Sequence, residues 1–248
     1  MTSIDLIHSE LRKLTSTRMP AAFGAVLVAL AAINGVAVVA GTDMDGSKTF
    51  ISTGTDQQSL IAFAANALML AGLFGATAAA REYAHNTTIA TYLTTPDRPR
   101  ALRAQFTAIA AGGGVLGLAG AALTAIAVAV SLPLTDYGFM VSATGLVQVL
   151  AASAWAGAAG AVLGAGIGTV IRNTGGAVTG AVIALVIAPP VAVQLASDFA
   201  DWVPSTLALV ASGVADGTST AAAVAAIGVW GLVPALAAAW SVQHRDVV

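Results

Sequence analysis

Cysteine is absent from all 248 residues, so disulfides, thiolate metal sites and lipidated cysteine anchors are excluded together. Charged residues make up only 9% of the chain and aromatic residues 6%, and no Asp, Glu, Lys, Arg or His falls deep inside any long apolar run. Proton relays and intramembrane ion sites need such residues, so a self-powered pump or channel is not expected. The same shortage disfavours a membrane protease or transferase with a buried charged centre, and no catalytic residue is assigned. The three histidines, His8, His85 and His244, are scattered along the chain, so no metal site is expected. No nucleic-acid partner is expected either.

What is present is apolar. Such residues make up 57% of the chain, and the mean hydropathy is +0.85, outside the range of a soluble domain. The chain therefore reads as an all-α integral membrane protein. A helix needs about 20 apolar residues to cross a bilayer, and the uncharged runs predict six spans, at residues 19–41, 58–80, 104–131, 139–170, 174–196 and 218–241, within one transmembrane domain covering 1–248. The first run is a full span without a trusted cleavage signal, so it reads as a retained helix.

An even number of spans puts both termini on one side. That side holds nine bases, Arg12, Lys13, Arg18, Arg81, Arg98, Arg100, Arg103, Arg172 and Arg245, while Lys48 alone lies on the other. Seven acids, Asp43, Asp45, Asp56, Asp136, Asp198, Asp201 and Asp216, accompany Lys48. The positive-inside rule then places both termini in the cytoplasm, with the chain in the cytoplasmic membrane.

Between the runs, residues 1–18 space Ile4, Ile7, Leu11 and Leu14 at helical intervals, which predicts an amphipathic helix at the membrane interface. Gly113 with Gly117, and Gly160 with Gly164 and Gly168, recur every fourth residue, as close helix packing requires. The run Gly112 to Gly117 also matches a dinucleotide fingerprint. It lies inside a span without the strand that such a site needs, so packing is the preferred reading. The loop Gly41 to Thr49 imitates a phosphate-binding loop with one residue too many before Lys48, and Asp43 and Asp45 would repel phosphate. Asn34, Asn66, Gln148 and Gln194 are the polar residues of the spans, read as interhelical hydrogen bonders ahead of pore ligands. The Pro189-Pro190 pair is expected to break the fifth helix. Residues 197–217 are expected to form short helical pieces dipping into the outer leaflet, with Trp202 at the interface.

The long charged interruption is residues 81–103. Asn86 or Thr87 can cap a short helix that Pro96 ends, and His85, Ile89, Tyr92 and Leu93 share one face of it. Its many threonines make it weak by propensity, so docking should stabilise it. The pattern Arg81-Glu82-Tyr83, Thr87-Thr88-Ile89, Thr91, Leu93, Thr95-Pro96, Arg98 and Arg100 resembles the first cytoplasmic loop of ABC-2 type transporter permeases. Glu10-Leu-Arg-Lys13, Trp202-Val-Pro204 and Arg245-Asp246 look like the same family.

The resemblance implies the permease subunit of an exporter, in which two copies pair and two copies of a separate ATP-binding cassette subunit bind ATP and Mg. This chain would need no cofactor of its own, and membrane lipids would surround it. Glu82, Tyr83, His85, Thr87, Thr88, Ile89, Tyr92 and Leu93 would form a coupling helix seated on the ATPase. A hydrophobic or amphipathic drug, lipid or peptide would be moved outward by alternating access. A non-transporting membrane anchor or sensor remains the alternative.

Overall fold

The computed structural model describes residues 2–65, 67–84 and 97–244, which are helical with no strand. The helices are α1 (Ser3–Thr15), α2 (Met19–Ala40), α3 (Gly54–Ala65), α4 (Ala67–Ala84), α5 (Arg98–Ser131), α6 (Ala143–Ile171), α7 (Thr174–Val182), α8 (Ala188–Leu195), α9 (Pro204–Ala211) and α10 (Thr220–His244). Six helical stretches are long and apolar enough to cross a membrane: α2, α3 with α4, α5, α6, α7 through α8, and α10. Large apolar side chains such as Val130 and Leu236, each 68% exposed, stud their outer faces. Such faces suit lipid rather than water, and the chain is a multi-pass membrane protein.

At the centre stands α6, because it touches three neighbours through backbone. A Cβ at Gly168 would come within 2.6 Å of the Ala76 carbonyl oxygen of α4, and one at Gly164 would collide with the Gly72 carbonyl. Gly160 meets Leu68 in the same way. The pairs Leu68–Gly160, Gly72–Gly164 and Ala76–Gly168 advance together, so α4 and α6 run parallel. A Cβ at Gly113 of α5 would lie 2.5 Å from the Gly157 oxygen, and Gly117 meets Ser153, so α5 runs antiparallel to α6. On a third side Gly166 faces Pro234 and Gly231 faces Ala159, both pairings with α10. The glycine spacing thus serves contacts within one chain. Lipid supplies no hydrophobic drive between helices, and close approach lets dispersion do that work.

Several boundaries differ from expectation. The second span is longer than 58–80, beginning at Gly54 and continuing to Ala84. The loop expected over 81–103 is shorter at both ends. Its last residues form the first turns of α5, because the Asp97 carboxylate accepts the Arg100 amide as an N-cap and Pro99 fits the first turn.

The Pro189-Pro190 pair does not break the fifth span. A π-helical turn over Ile183–Ile187 precedes it, and both prolines then occupy the opening of α8, where missing amide protons cost little. Residues 197–202 form a 3₁₀ turn leading into α9, whose Leu207 and Val210 are buried with Ile227 of α10. The Trp230 indole donates to the Trp202 carbonyl at 3.0 Å, so this segment is folded against α10 rather than irregular.

The end of the bundle carrying the α2–α3 connection is joined by amides. Gln57, fully buried, donates to the carbonyls of Ile51 (3.0 Å) and Gly138 (2.9 Å), and its oxygen accepts from the Met140 amide at 2.9 Å. Gln58 donates to Ser212 at 2.9 Å. Lys48 donates to the carbonyls of Val38 and Val39 and so closes the C-terminus of α2.

Candidate functional site

At the opposite end, the charged residues converge where α4 leaves the bundle. The first part of this site is α1. Thr2 caps it, its hydroxyl accepting from the Asp5 amide while the Asp5 carboxylate accepts from the Thr2 amide. The Thr2 hydroxyl and amide hold the Asp5 carboxyl below its usual range. At the other face of the molecule, the hydroxyl and amide of Ser47 do the same for Asp45.

The face that α1 buries carries a carboxylate among its leucines. Leu6 and Glu10, one turn apart, are its buried residues, while Ile4 is 65% exposed. Leu6 and Glu10 are thus turned into the bundle, Leu14 packs beside Met19 and Phe74, and Ile4 is left toward the surroundings while Ile7 and Leu11 are half-buried.

A buried carboxylate needs a partner. Lys13, one turn along from Glu10, supplies it: its ammonium lies 2.5 Å from Glu10 Oε1 and 3.8 Å from Glu82 Oε1. The ammonium is shared by two carboxylates from two helices, and it fastens the last turn of α4 to α1. The neighbouring Tyr83 is held separately. The guanidinium of Arg172 lies over its ring, 5.1 Å from the centroid. Arg172 caps α6 in the left-handed region (φ 58°), a conformation that costs a non-glycine residue of order 1 kcal/mol. Arg98 Nη1 donates to the Val242 carbonyl at 3.4 Å and ties α5 to α10. Contributions from α1 and α6 therefore meet at the last turn of α4, and α5 and α10 are tied to each other at the same end.

Three further polar groups lie toward this end. Gln105 Nε2, Thr169 Oγ1 and Ser241 Oγ are buried with no hydrogen-bond partner among the described residues. Orphaned groups of this kind are rare in folded proteins and tend to mark places where something else completes the structure.

Of the residues expected to dock a partner, Glu82 and Tyr83 lie among the described residues. The Glu82 side chain is 18% exposed and faces Lys13, and Tyr83 carries Arg172. Both anchor the root of the loop. His85, Thr87, Thr88, Ile89, Tyr92 and Leu93 lie outside the described residues, as do Asn66, Arg245 and Asp246. Asn34 donates to Leu30 of its own helix at 2.8 Å, which satisfies the amide without a second helix. Gln148 does reach another element, donating to Ala211 at 3.3 Å. Gln194 is exposed and makes no hydrogen bond among the described residues. Among the described residues no group of His, Asp and Glu could hold a metal ion.

Sequence reasoning marked Glu10 and Lys13 only as part of a family resemblance, not as a charged cluster with Glu82, and missed Gln105. The signal for the first two was available, because Glu10 and Lys13 sit on the side of the α1 wheel away from Ile4. Gln105 lies two turns before Gly113 in the same fourth-residue register, but that register was read from its glycines alone.

A cleft of about 260 Å³ opens nearer the other end, between α4, α6, the prolines of α8, and α9. Met69, Leu185 and Pro189 line it with the hydroxyl-bearing Ser153, Ser205 and Ser212. Such a cleft accepts a small, mainly apolar group with one hydrogen-bonding function. No protein-family profile matches the chain, and no curated protein matches it.

Proposed function

We propose that this chain is the membrane-spanning permease subunit of an ATP-driven exporter of the ABC-2 type. In this reading both termini are cytoplasmic, α1 lies along the inner membrane interface with Ile4, Ile7 and Leu11 toward lipid, and the 3₁₀ turn and α9 lie at the outer leaflet. Two copies pair, and two copies of a separate ATPase subunit hold ATP and Mg and dock on the segment between α4 and α5. A hydrophobic or amphipathic molecule moves outward.

The observation that carries the reading is the clasp around Glu82. A segment that receives force from an ATPase must be rooted firmly, or its movement would be spent in local bending. The last turn of α4 is fastened to α1 by Lys13 and to α6 by the Arg172–Tyr83 stack. Displacement of the segment would therefore move α4, α1 and α6 together. The α4–α6 seam, where backbone rests on backbone, would carry that displacement to the cleft beside Met69. Docking involves Glu82, Tyr83, His85, Thr87, Thr88, Ile89, Tyr92 and Leu93, the first two also rooting the segment.

The test is purification of the tagged chain from its native membrane in mild detergent, beside a variant carrying Ile89→Ala and Tyr92→Ala. An ATPase that accompanies the native chain and is lost from the variant supports the exporter reading. A chain that runs alone with no nucleotide hydrolysis in any fraction refutes it and favours the membrane anchor.

A further inference from the structure

A second groove, of about 700 Å³, runs between α5 and α10 on the outer wall of the bundle, at the same end as the clasp. Its floor is apolar, formed by Leu102, Phe106 and Ala110 of α5, Val162 of α6, and Leu232 and Leu236 of α10. Arg103 and Gln243 line one end, and Thr107, one turn farther in, has its hydroxyl satisfied by the Arg103 carbonyl at 2.8 Å.

Length and charge select what fills it. On α10 the lining runs from Leu232 to Gln243, and on α5 from Pro99 to Ala110. Either stretch rises about 16 Å at 1.5 Å per residue. That is roughly half of a 30 Å hydrocarbon core, the depth of one leaflet. A slot one leaflet deep, mainly apolar along its length and charged at its head, has the dimensions of a single lipid chain with its headgroup.

The head is cationic. Arg103 is exposed, and its Nε donates to the Pro99 carbonyl at 3.3 Å. Both Nη groups are left with no hydrogen bond among the described residues, in the forked geometry that suits a phosphate. No acid lines the groove. Asp97, the nearest acid along the chain, spends its carboxylate on the Arg100 amide.

We infer that this groove binds one anionic phospholipid, with its phosphate on Arg103 and an acyl chain against Leu102, Phe106 and Leu236. The site depends on the membrane placement of the helices and not on the exporter reading. Basic pockets between helices hold anionic headgroups by this chemistry.

Native mass spectrometry of the delipidated full chain tests it, with phosphatidylglycerol and phosphatidylethanolamine of the same acyl composition as probes. Phosphatidylglycerol should bind one per chain, and more tightly than phosphatidylethanolamine. Arg103→Ala should weaken phosphatidylglycerol about five- to tenfold, with helix content and melting temperature in detergent unchanged. Leu236→Trp, which fills the groove and leaves Arg103 in place, should weaken it as well. Equal binding of the two lipids, or no effect of either variant, overturns the inference. The chain has no cysteine, so Leu236→Cys supplies a clean cross-linking site in membranes. Disulfide-linked pairs through it would assign this face to a second copy and would also overturn the lipid site.

Discussion

Replacing Lys13 by methionine removes the ammonium of the clasp while keeping most of its apolar stem. Two carboxylates from different helices, Glu10 and Glu82, then face each other with no shared cation. An exposed ion pair contributes about 0–1 kcal/mol, and removing one partner of a buried pair costs about 3–5 kcal/mol. Here Glu10 is buried and the Lys13 side chain is 39% exposed, so solvent screens part of the loss and the expected cost is about 2 kcal/mol. For a chain of this length that corresponds to a melting shift of about 4–8 °C.

The repulsion predicts its own rescue. Glu10→Gln in the Lys13→Met background should recover more than half of the loss, whereas Glu10→Gln alone should cost about 1 kcal/mol. Thermal unfolding of the four proteins in one detergent at one pH measures the coupling. Effects that add to within about 0.5 kcal/mol would show that Lys13 and Glu10 are not coupled, and the account of the clasp would fail.

Two further outcomes follow from contacts elsewhere. Gly164→Ala should destabilise the protein by about 1–3 kcal/mol because its Cβ would strike the Gly72 carbonyl, whereas Gly24→Ala, with nothing within 4 Å, should be neutral or stabilising by up to about 1 kcal/mol; equal effects in detergent unfolding would refute the seam. The Asp5 carboxyl titrates below its ordinary value because Thr2 hydrogen-bonds its charged form, so its support of α1 is full above about pH 4 and is lost as pH falls through the lowered value; in a carbon-13 titration Thr2→Ala should raise the midpoint toward the usual one, and an unmoved midpoint would count against the cap.

The spans were legible because lipid imposes a simple rule of length and charge. Boundaries were less so, since they are set by single caps. Asp97 starts α5 six residues before the apolar run begins, and no hydropathy window registers one hydrogen bond. The Pro189-Pro190 pair misled because proline chemistry forbids a straight continuation but not a widened turn, and the π turn at Ile183–Ile187 supplies one just before the pair.

The glycines could be seen to pack, though not against which helix. Only three dimensions show that Gly160, Gly164 and Gly168 meet α4. At the candidate site, Glu82 and Tyr83 stood out in the sequence and their pairing with Lys13 and Arg172 did not. Lys13 and Arg172 lie about 70 and 90 residues away along the chain, farther than any local periodicity reaches.

The seam between α4 and α6 constrains how this protein can change. Elsewhere a poor contact can be improved by exchanging one side chain for a better-fitting one. At Gly72, Gly164 and their neighbours no lighter residue exists, and every substitution adds atoms between two backbones. Mutation can therefore only widen that spacing. The distance between these helices already stands at its lower bound, and drift in the sequence can move it in one direction alone.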